Sequence, residues 1–337
     1  MRFSLVIILI FLFSAAAFLA AIFYLPVKEL SLTNSQASVG QALSGDNSES
    51  QVLFIAVGDI MLSRGVQYKI DTEGQGDFLF PFLKIAPELN TADVVFGNLE
   101  GPISDKGDKV GSAYSFRAKP EVIAGLVFAG FDVLSLANNH MFDYQRVSLE
   151  ETMRFLAGAG IDYIGAGFNE QEAFSLKIKE AKGVKIGFLA YTDLGSPNWR
   201  ASKDRPGIAW IDDNQLEEVK QNVGQAVSKV DILVVSLHSG EEYSKAPTDF
   251  QISFAKACID SGASLVIEHH PHVVQRLEQY RDGWIAYSLG NFVFDQYFSE
   301  DTMESVILRA EIQDRKIKAV SLEKVQLNKN YQPEPVE

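Results

Sequence analysis

Five apolar stretches, FIAVG, DVVFG, DVLSLA, DILVVSL and ASLVIE, each run straight into a polar cluster. This constrains the chain most, because apolar runs rich in β-branched residues and bounded by polar turns read as buried strands. Helical patterns alternate with them, which is the rhythm of an α/β fold. In an open α/β sheet, side chains just past the carboxyl ends of strands converge on one crevice. The clusters hold Asp59, Asn98 with Glu100, Asn139 with His140, His238, and the run His269, His270, His272. All five histidines of the 337-residue chain lie in them. Imidazoles and carboxylates converging at strand ends are the ligand set of Zn, Mn or Fe. A metal centre is the leading expectation.

Each motif also has a plainer reading. In GDIMLSR, Asp59 is a ligand or a helix cap, and Arg64 clamps a substrate anion or pairs with a nearby acid. In GNLEGPIS, Asn98 and Glu100 point to one side of an extended backbone. Glu100 can bridge two metals, while Asn98 is equally a turn residue. ANNHMFD offers one ligand, Asn139, and one general acid, His140, with Asp143 close by. His238 of HSGEEY is a ligand or a satisfied core histidine. In HHPH, His270 and His272 flank Pro271 and are expected on one side of an extended backbone. SLGNFVFD should turn through Gly290 and Asn291 and wall the site.

Residues 3–25 carry no charge and are long enough to cross a hydrocarbon core of about 30 Å. With Arg2 before them they are expected to form a signal-anchor, residues 1–25, leaving the rest outside the cytoplasmic membrane. Alanines at positions 15–17, 20 and 21 keep signal-peptide cleavage as the alternative. Residues 26–50, rich in Ser, Asn, Gln and Gly, read as a flexible linker, and 51–337 as one domain. The net charge of −14 argues against nucleic acid as a partner, because phosphate binding needs a basic surface. Any polyanionic substrate must then be met by a metal or by a few Lys and Arg residues. The single cysteine, Cys258, is expected on the apolar side of a helix.

Helices are expected in FLFPFLKIAPEL, PEVIAGLVFAG, SLEETMRFLAGAG with a Ser148–Glu151 capping box, DNQLEEVKQNVGQAVSKV, and from Pro247 onward. IDYIGAG, AFSLKIKE and KGVKIGFLAYTD read as antiparallel pairs, and nearly all the chain after His272 reads as strand. A parallel half and an antiparallel half predict two sheets packed face to face between helices.

Taken in order, GDIMLSR, GNLEGPIS, FRAKP, ANNHMFD, HSGEEY, HHPHVVQ and YSLGNFVFD resemble the CapA family of capsule-synthesis proteins, which is tied to poly-γ-glutamate. The resemblance runs from residue 53 to 296, and the N-terminal anchor also fits the family. It implies an α/β fold, a metallophosphatase-like four-layer α-β-β-α sandwich preceded by one transmembrane helix. It further implies a divalent metal (Mn, Zn or Fe) held by Asp59, Glu100, Asn139, His238, His270 and His272. His140 resembles the general acid, with Asp143 assigned beside it. Arg64, Asn98, Arg117, Lys119 and His269 would contact substrate. The implied partners are an anionic polymer such as poly-γ-glutamate or its precursor, and a membrane synthase complex. Four positions depart from the pattern. Met61 stands where metallophosphatases carry the histidine of Asp-x-His, Gln145 and Glu268 replace glycines, and Ser239 replaces a tryptophan. Glu268 is expected as an extra ligand or as a group orienting one. Two functions follow: a membrane-tethered hydrolase or transferase acting on a phosphoester or γ-glutamyl amide, or a non-enzymatic component that binds the polymer or a synthase and uses the metal structurally.

Overall fold

The computed structural model describes residues 51–111 and 113–336. The expected anchor at 1–25 and linker at 26–50 lie outside the described residues. Among the described residues, no helix is long and apolar enough to cross a membrane.

Sixteen strands are present among the described residues. One sheet contains β1 (Val52–Ile60), β2 (Val94–Leu99), β3 (Val133–Ser135) and β4 (Asp162–Ile164) in parallel. A two-stranded ribbon contains β5 (Ala166–Gly167) and β8 (Gly207–Ile208), while β6 (Lys177–Ala181) and β7 (Val184–Thr192) belong to the second sheet. That second sheet adds β9 (Ile232–His238), β10 (Leu265–His269), β11 (Leu277–Tyr280) and β12 (Gly283–Ala286). The chain then returns to the first sheet with β13 (Asn291–Val293), β14 (Glu304–Gln313), β15 (Lys316–Leu327) and β16 (Pro333–Pro335). The orders are β16-β15-β14-β1-β2-β3-β4, with β13 also on β1, and β11-β12-β10-β9-β7-β6.

Alternation along the strands sets the layers, since successive side chains point to opposite faces. In β1, Val52, Phe54 and Ala56 join Phe188 of β7, Val234 of β9 and Ile267 of β10 in the apolar layer between the sheets. Ile55 and Val57 point the other way, onto Val66 and Ile70 of the helix Arg64–Thr72 and Leu149 and Met153 of the helix Gln145–Gly158. On the second sheet Leu233, Val235 and Leu237 pack against Val219 and Val223 of Leu216–Val227 and Phe254 and Cys258 of Asp249–Asp260. The result is a mixed α/β fold with helices outside both sheets, and Cys258 is a buried core residue, as expected.

Several local expectations are corrected. Parallel and antiparallel strands do not divide into halves: both sheets are mixed, because the β14–β15 hairpin pairs with β1 while β11 and β6 edge the second sheet. β4 joins the first sheet in parallel, so only β6 and β7 form the expected antiparallel pair. Their turn, Lys182 and Gly183, has φ of 50° and 80°, the positive values that a tight two-residue hairpin requires. FLFPFLKIAPEL breaks into a 3-10 turn, Phe80–Phe82, and the short helix Ala86–Leu89. Pro81 and Pro87 each begin one, and a proline in mid-helix would remove a hydrogen bond and clash. The Ser148–Glu151 capping box does not form, because the helix already starts at Gln145. Glu151 instead accepts hydrogen bonds from Ser104 Oγ (2.6 Å) and Asp105 N (3.0 Å) and pairs with Lys106 (2.7 Å). Pro247 precedes the N-cap Thr248, whose capping box with Gln251 opens that helix.

Candidate metal centre

The cluster lies at the ends of β1, β2 and β13 in one sheet and of β9 and β10 in the other. Gly58 lets β1 pass close to the chain at Gly290, since a Cβ there would collide with the Gly290 carbonyl oxygen. The Asp59 amide donates to that oxygen (3.1 Å), and Asp59 stands in register with Asn98 on β2 and Asn291 on β13. Its Oδ1 accepts from Asn98 Nδ2 (2.9 Å) and its Oδ2 from the His270 amide (3.2 Å). His269 Nδ1 lies 3.3 Å from Oδ1, without the alignment of a hydrogen bond, and His272 Nδ1 lies 3.5 Å from Oδ2. Burial works against ionisation of Asp59, but the imidazoles of His269, His238 and His272 outweigh it and hold the carboxyl well below its usual range.

Glu100 carries the strongest signal. Its carboxyl is buried and neither oxygen has a hydrogen-bond partner. The closest cationisable atoms are His140 Nε2 at 3.6 Å and His272 Nε2 at 3.7 Å. Burial, then Asp59, Glu242 and Asp143, push its affinity for a proton well up. A buried carboxylate without a donor or cation is strongly disfavoured. Ligand atoms of Asp59, Glu100 and His272 lie within 4.8 Å of one another and can hold a metal ion. His270 Nδ1 and both ring nitrogens of His269 are likewise buried without hydrogen-bond partners. This donor set fits a divalent cation.

Neighbouring amides fix the rings. Asn291 donates to Gln296 Oε1 and to the Thr302 carbonyl, each at 3.0 Å. Both N–H bonds are then used, so its Oδ1 accepts from His272 Nδ1 at 2.9 Å and Nε2 is left turned toward Glu100. Asn98 Nδ2 lies 3.2 Å from His238 Nδ1, and His238 Nε2 meets Asn139 Oδ1 at 2.8 Å. Two atoms on one ion stand about 3 Å apart at the usual bond lengths, so this pair can share a ligand shell. The His238 and His270 rings cross edge-on at 5.0 Å. Burial, followed by like charge from neighbouring imidazoles, pushes His238 well down and His270 down to about 3. Neutral imidazole is the form that binds a metal.

His140 stacks on Phe116 at 4.0 Å, and its Nδ1 is 2.7 Å from Asp143 Oδ2. Asp143 also accepts from the Phe116 amide (2.8 Å), which holds it behind the ring while Nε2 faces Glu100. Arg64 is tied to Asp295 by bonds of 2.9 and 3.2 Å and lies over Phe116, so the pairing reading applies. Arg117 donates to the Lys106 and Gly107 carbonyls, and Lys119 pairs with Asp71 at 3.4 Å. Neither reaches a cluster residue through these contacts. Asn98 and His269 are buried inside the cluster. His270 and His272 do converge, with ring centroids 5.7 Å apart, but through left-handed backbone at φ of 100° and 58°, not through an extended strand. Asn291, expected only in a turn walling the site, is a ring-orienting partner, and two contributors escaped the sequence reading: Phe116, and Asn138, which donates to the Leu99 carbonyl (2.8 Å) and accepts from the His140 amide. The doubled asparagine of ANNH was the available signal for Asn138.

The family model for the bacterial capsule synthesis protein PGA_cap matches residues 53–296. The chain belongs to this family. It is 35% identical over 263 residues to the capsule biosynthesis protein CapA of Bacillus anthracis, covering 77% of this chain and 63% of that protein. It is 32% identical over 256 residues to the PGA biosynthesis protein CapA of Bacillus subtilis strain 168, covering 75% and 66%. The chain therefore spans under two thirds of the length of these relatives. Its fold is similar to that of a phosphatase from Mycoplasma pneumoniae, with 14% identity, a TM-score of 0.50, and coverage of 84% and 96%.

The four departures noted in the sequence have physical readings. Gln145 adopts φ of 67°, a conformation that glycine takes freely and that strains other residues. Met61 is buried in the apolar core, its sulfur accepting from Ser63 N and Oγ, so no imidazole stands at that position. Ser239 donates its amide to the His269 carbonyl at 3.1 Å. Glu268 corrects the expectation made for it. It is buried on β10, but adjacent strand residues face opposite ways, and it points outward while His269 points into the cluster. Its Oε2 accepts from Gln251 Nε2 at 2.9 Å, on the helix Asp249–Asp260. Burial pushes this carboxyl's affinity for a proton well up. It neither coordinates the site nor orients a ligand.

Proposed function

We propose that this protein is a membrane-tethered, metal-dependent enzyme of poly-γ-glutamate capsule formation, with its folded domain outside the cytoplasmic membrane. Family membership supports the process, and the buried, partnerless Glu100 carboxyl facing Asp59 and His272 carries the metal-dependent chemistry. Asp59, Glu100, His272, His270, His238 and Asn139 would hold the ion. A divalent cation in such a site polarises a phosphoryl or carbonyl oxygen and makes water more acidic. His140, kept in place by Asp143 and Phe116, turns Nε2 toward Glu100 and gives a proton to the leaving group. Asn291 and Asn98 hold His272 and His238 in their orientations. The substrate is a phosphoester or a γ-glutamyl amide, and the metallophosphatase-like four-layer arrangement suits either.

The direct test is to incubate the metal-loaded full chain with a γ-linked glutamate oligomer and with a phosphoester, measuring released glutamate and phosphate. Release of either, abolished by chelator, is the expected outcome. Buried Met61 favours a second reading, a component that binds polymer or a synthase around a single structural ion. Metal binding at full occupancy with no release of either product would establish that reading instead. For topology, protease added to spheroplasts should digest residues 51–337, and protection equal to that of a cytoplasmic control would overturn the tethering.

A further inference from the structure

Tyr243 joins the surface to the buried cluster. Its side chain is 42% exposed, yet its ring lies 6.2 Å from that of His272, which is 2% exposed. Its φ of 66° falls in the left-handed region, an outlier for a bulky side chain that persists only where surrounding contacts fix it. Here the Tyr243 amide donates to the Pro271 carbonyl at 2.8 Å, between His270 and His272. The hydroxyl accepts from Gln296 Nε2 at 3.2 Å, and Gln296 Oε1 in turn accepts from Asn291, the partner of His272. Phe298, also exposed, meets the Tyr243 ring edge-on at 5.1 Å. On the other histidine, Phe116 stacks at 4.0 Å, and Arg64 lies over both Phe116 and the exposed Tyr114. Exposed aromatic side chains are thus linked by contacts to both histidines, His140 and His272, that flank Glu100 Oε1.

Side-chain charge does little to hold an anionic chain beside these rings. The nearby cations are spent within the protein, Arg64 on Asp295 at 2.9 Å and Lys245 on Asp301 at 2.8 Å. Tyr243 itself follows two acids, Glu241 and Glu242, in a chain of net charge −14. Beyond the ion, affinity for an extended substrate must then come from its apolar and planar parts. Between its carboxylates a γ-linked glutamate chain offers methylene groups and flat amides, which pack well against aromatic faces. We propose that Tyr243, with Phe298 beside it, is a substrate-contacting residue, the platform on which the main chain of a γ-linked polyglutamate lies as one of its amides reaches the ion. This assignment rests on the proposed function for the identity of the chain, and it selects the γ-glutamyl amide over the phosphoester.

The test is a calorimetric titration of the metal-loaded full chain with a γ-linked glutamate oligomer, alongside elemental analysis of metal content. Saturable binding is expected, weakened about threefold to tenfold by Tyr243→Ala and by Phe298→Ala, the size of one lost aromatic contact. Tyr243→Phe should keep most of the affinity, because the ring and not the hydroxyl makes the platform, and all three variants should keep their metal. Phe298 is exposed, so Phe298→Ala keeps the test informative where Tyr243→Ala loosens its loop. No binding of the oligomer, or affinity unchanged in both alanine variants, would overturn the platform. So would loss of metal in Tyr243→Phe, which would assign the tyrosine to His272 through Gln296 and Asn291. Glutamate release is measured separately: weakened binding without any release keeps the platform and removes hydrolysis, whereas release with unchanged affinities does the reverse.

Discussion

Substituting His272 with alanine is expected to strip most of the metal from the purified full chain, which otherwise binds about one divalent ion or more per molecule. His272 Nε2 is one corner of the group formed with Asp59 and Glu100, and its Nδ1 is already committed to Asn291. Losing it removes a donor and leaves Glu100 and Asp59 with one fewer neighbour of opposite tendency. Asn291→Ala should weaken the same affinity by about 10–100-fold, the usual effect of releasing a ligand's outer hydrogen bond. Two substitutions serve as contrasts. His140→Ala should keep its metal, because that ring is held by Asp143 and Phe116 and not by the cluster. Glu268→Gln should also keep it, because the carboxyl faces Gln251 on the far side of β10. Elemental analysis and metal titration read all four, and equal loss in His272→Ala and His140→Ala would remove the division of roles.

The second large effect concerns turnover. His140→Ala should lower kcat by about 10²–10⁴-fold on whichever substrate class is cleaved, the range typical of a lost general acid. KM and metal content should change little. Asp143→Asn should lower kcat in the same direction while leaving the ring in place, because an amide cannot stabilise a charged imidazole as a carboxylate does. Both follow from the 2.7 Å bond between His140 Nδ1 and Asp143 and the placement of Nε2 facing Glu100. Turnover in His140→Ala within a few-fold of the unaltered chain would take His140 out of the proton-transfer step.

Much of the site was legible because strands ending in an α/β sheet deliver their next residues to a common edge. That ground picked out the clusters holding Asp59, Glu100, Asn139, His238, His270 and His272, the family resemblance named these six as ligands, and the fold brings them together, with Asn139 half-buried. Arg117 and Lys119 were named as substrate contacts with the family resemblance, and each is occupied elsewhere by local partners. Glu268 was misplaced because a run of three adjacent polar residues, Glu268 to His270, conceals which of them belong to which face of the strand. Once β10 is known to extend through His269, period-two alternation puts Glu268 outside the cluster. Asn291 lay in plain view, but its role depends on β13 pairing in parallel with β1, a contact between segments more than two hundred positions apart.

Sequence alone determined the α/β class, the positions of the main strands, and the types of group gathered at their ends, because these depend on local periodicity and on the shared geometry of strand termini. Tertiary structure decided which nitrogen of each histidine faces the cluster, which carboxyls are paired, and which is left bare. Those outcomes depend on partners distant in the chain: Asn98 and Asn139 for His238, Asn291 for His272, Asp143 for His140, and the absence of any hydrogen-bond donor for Glu100. Local pattern places a side chain at an edge, but its protonation and orientation are set by the desolvation and hydrogen bonding that only the assembled sheets supply.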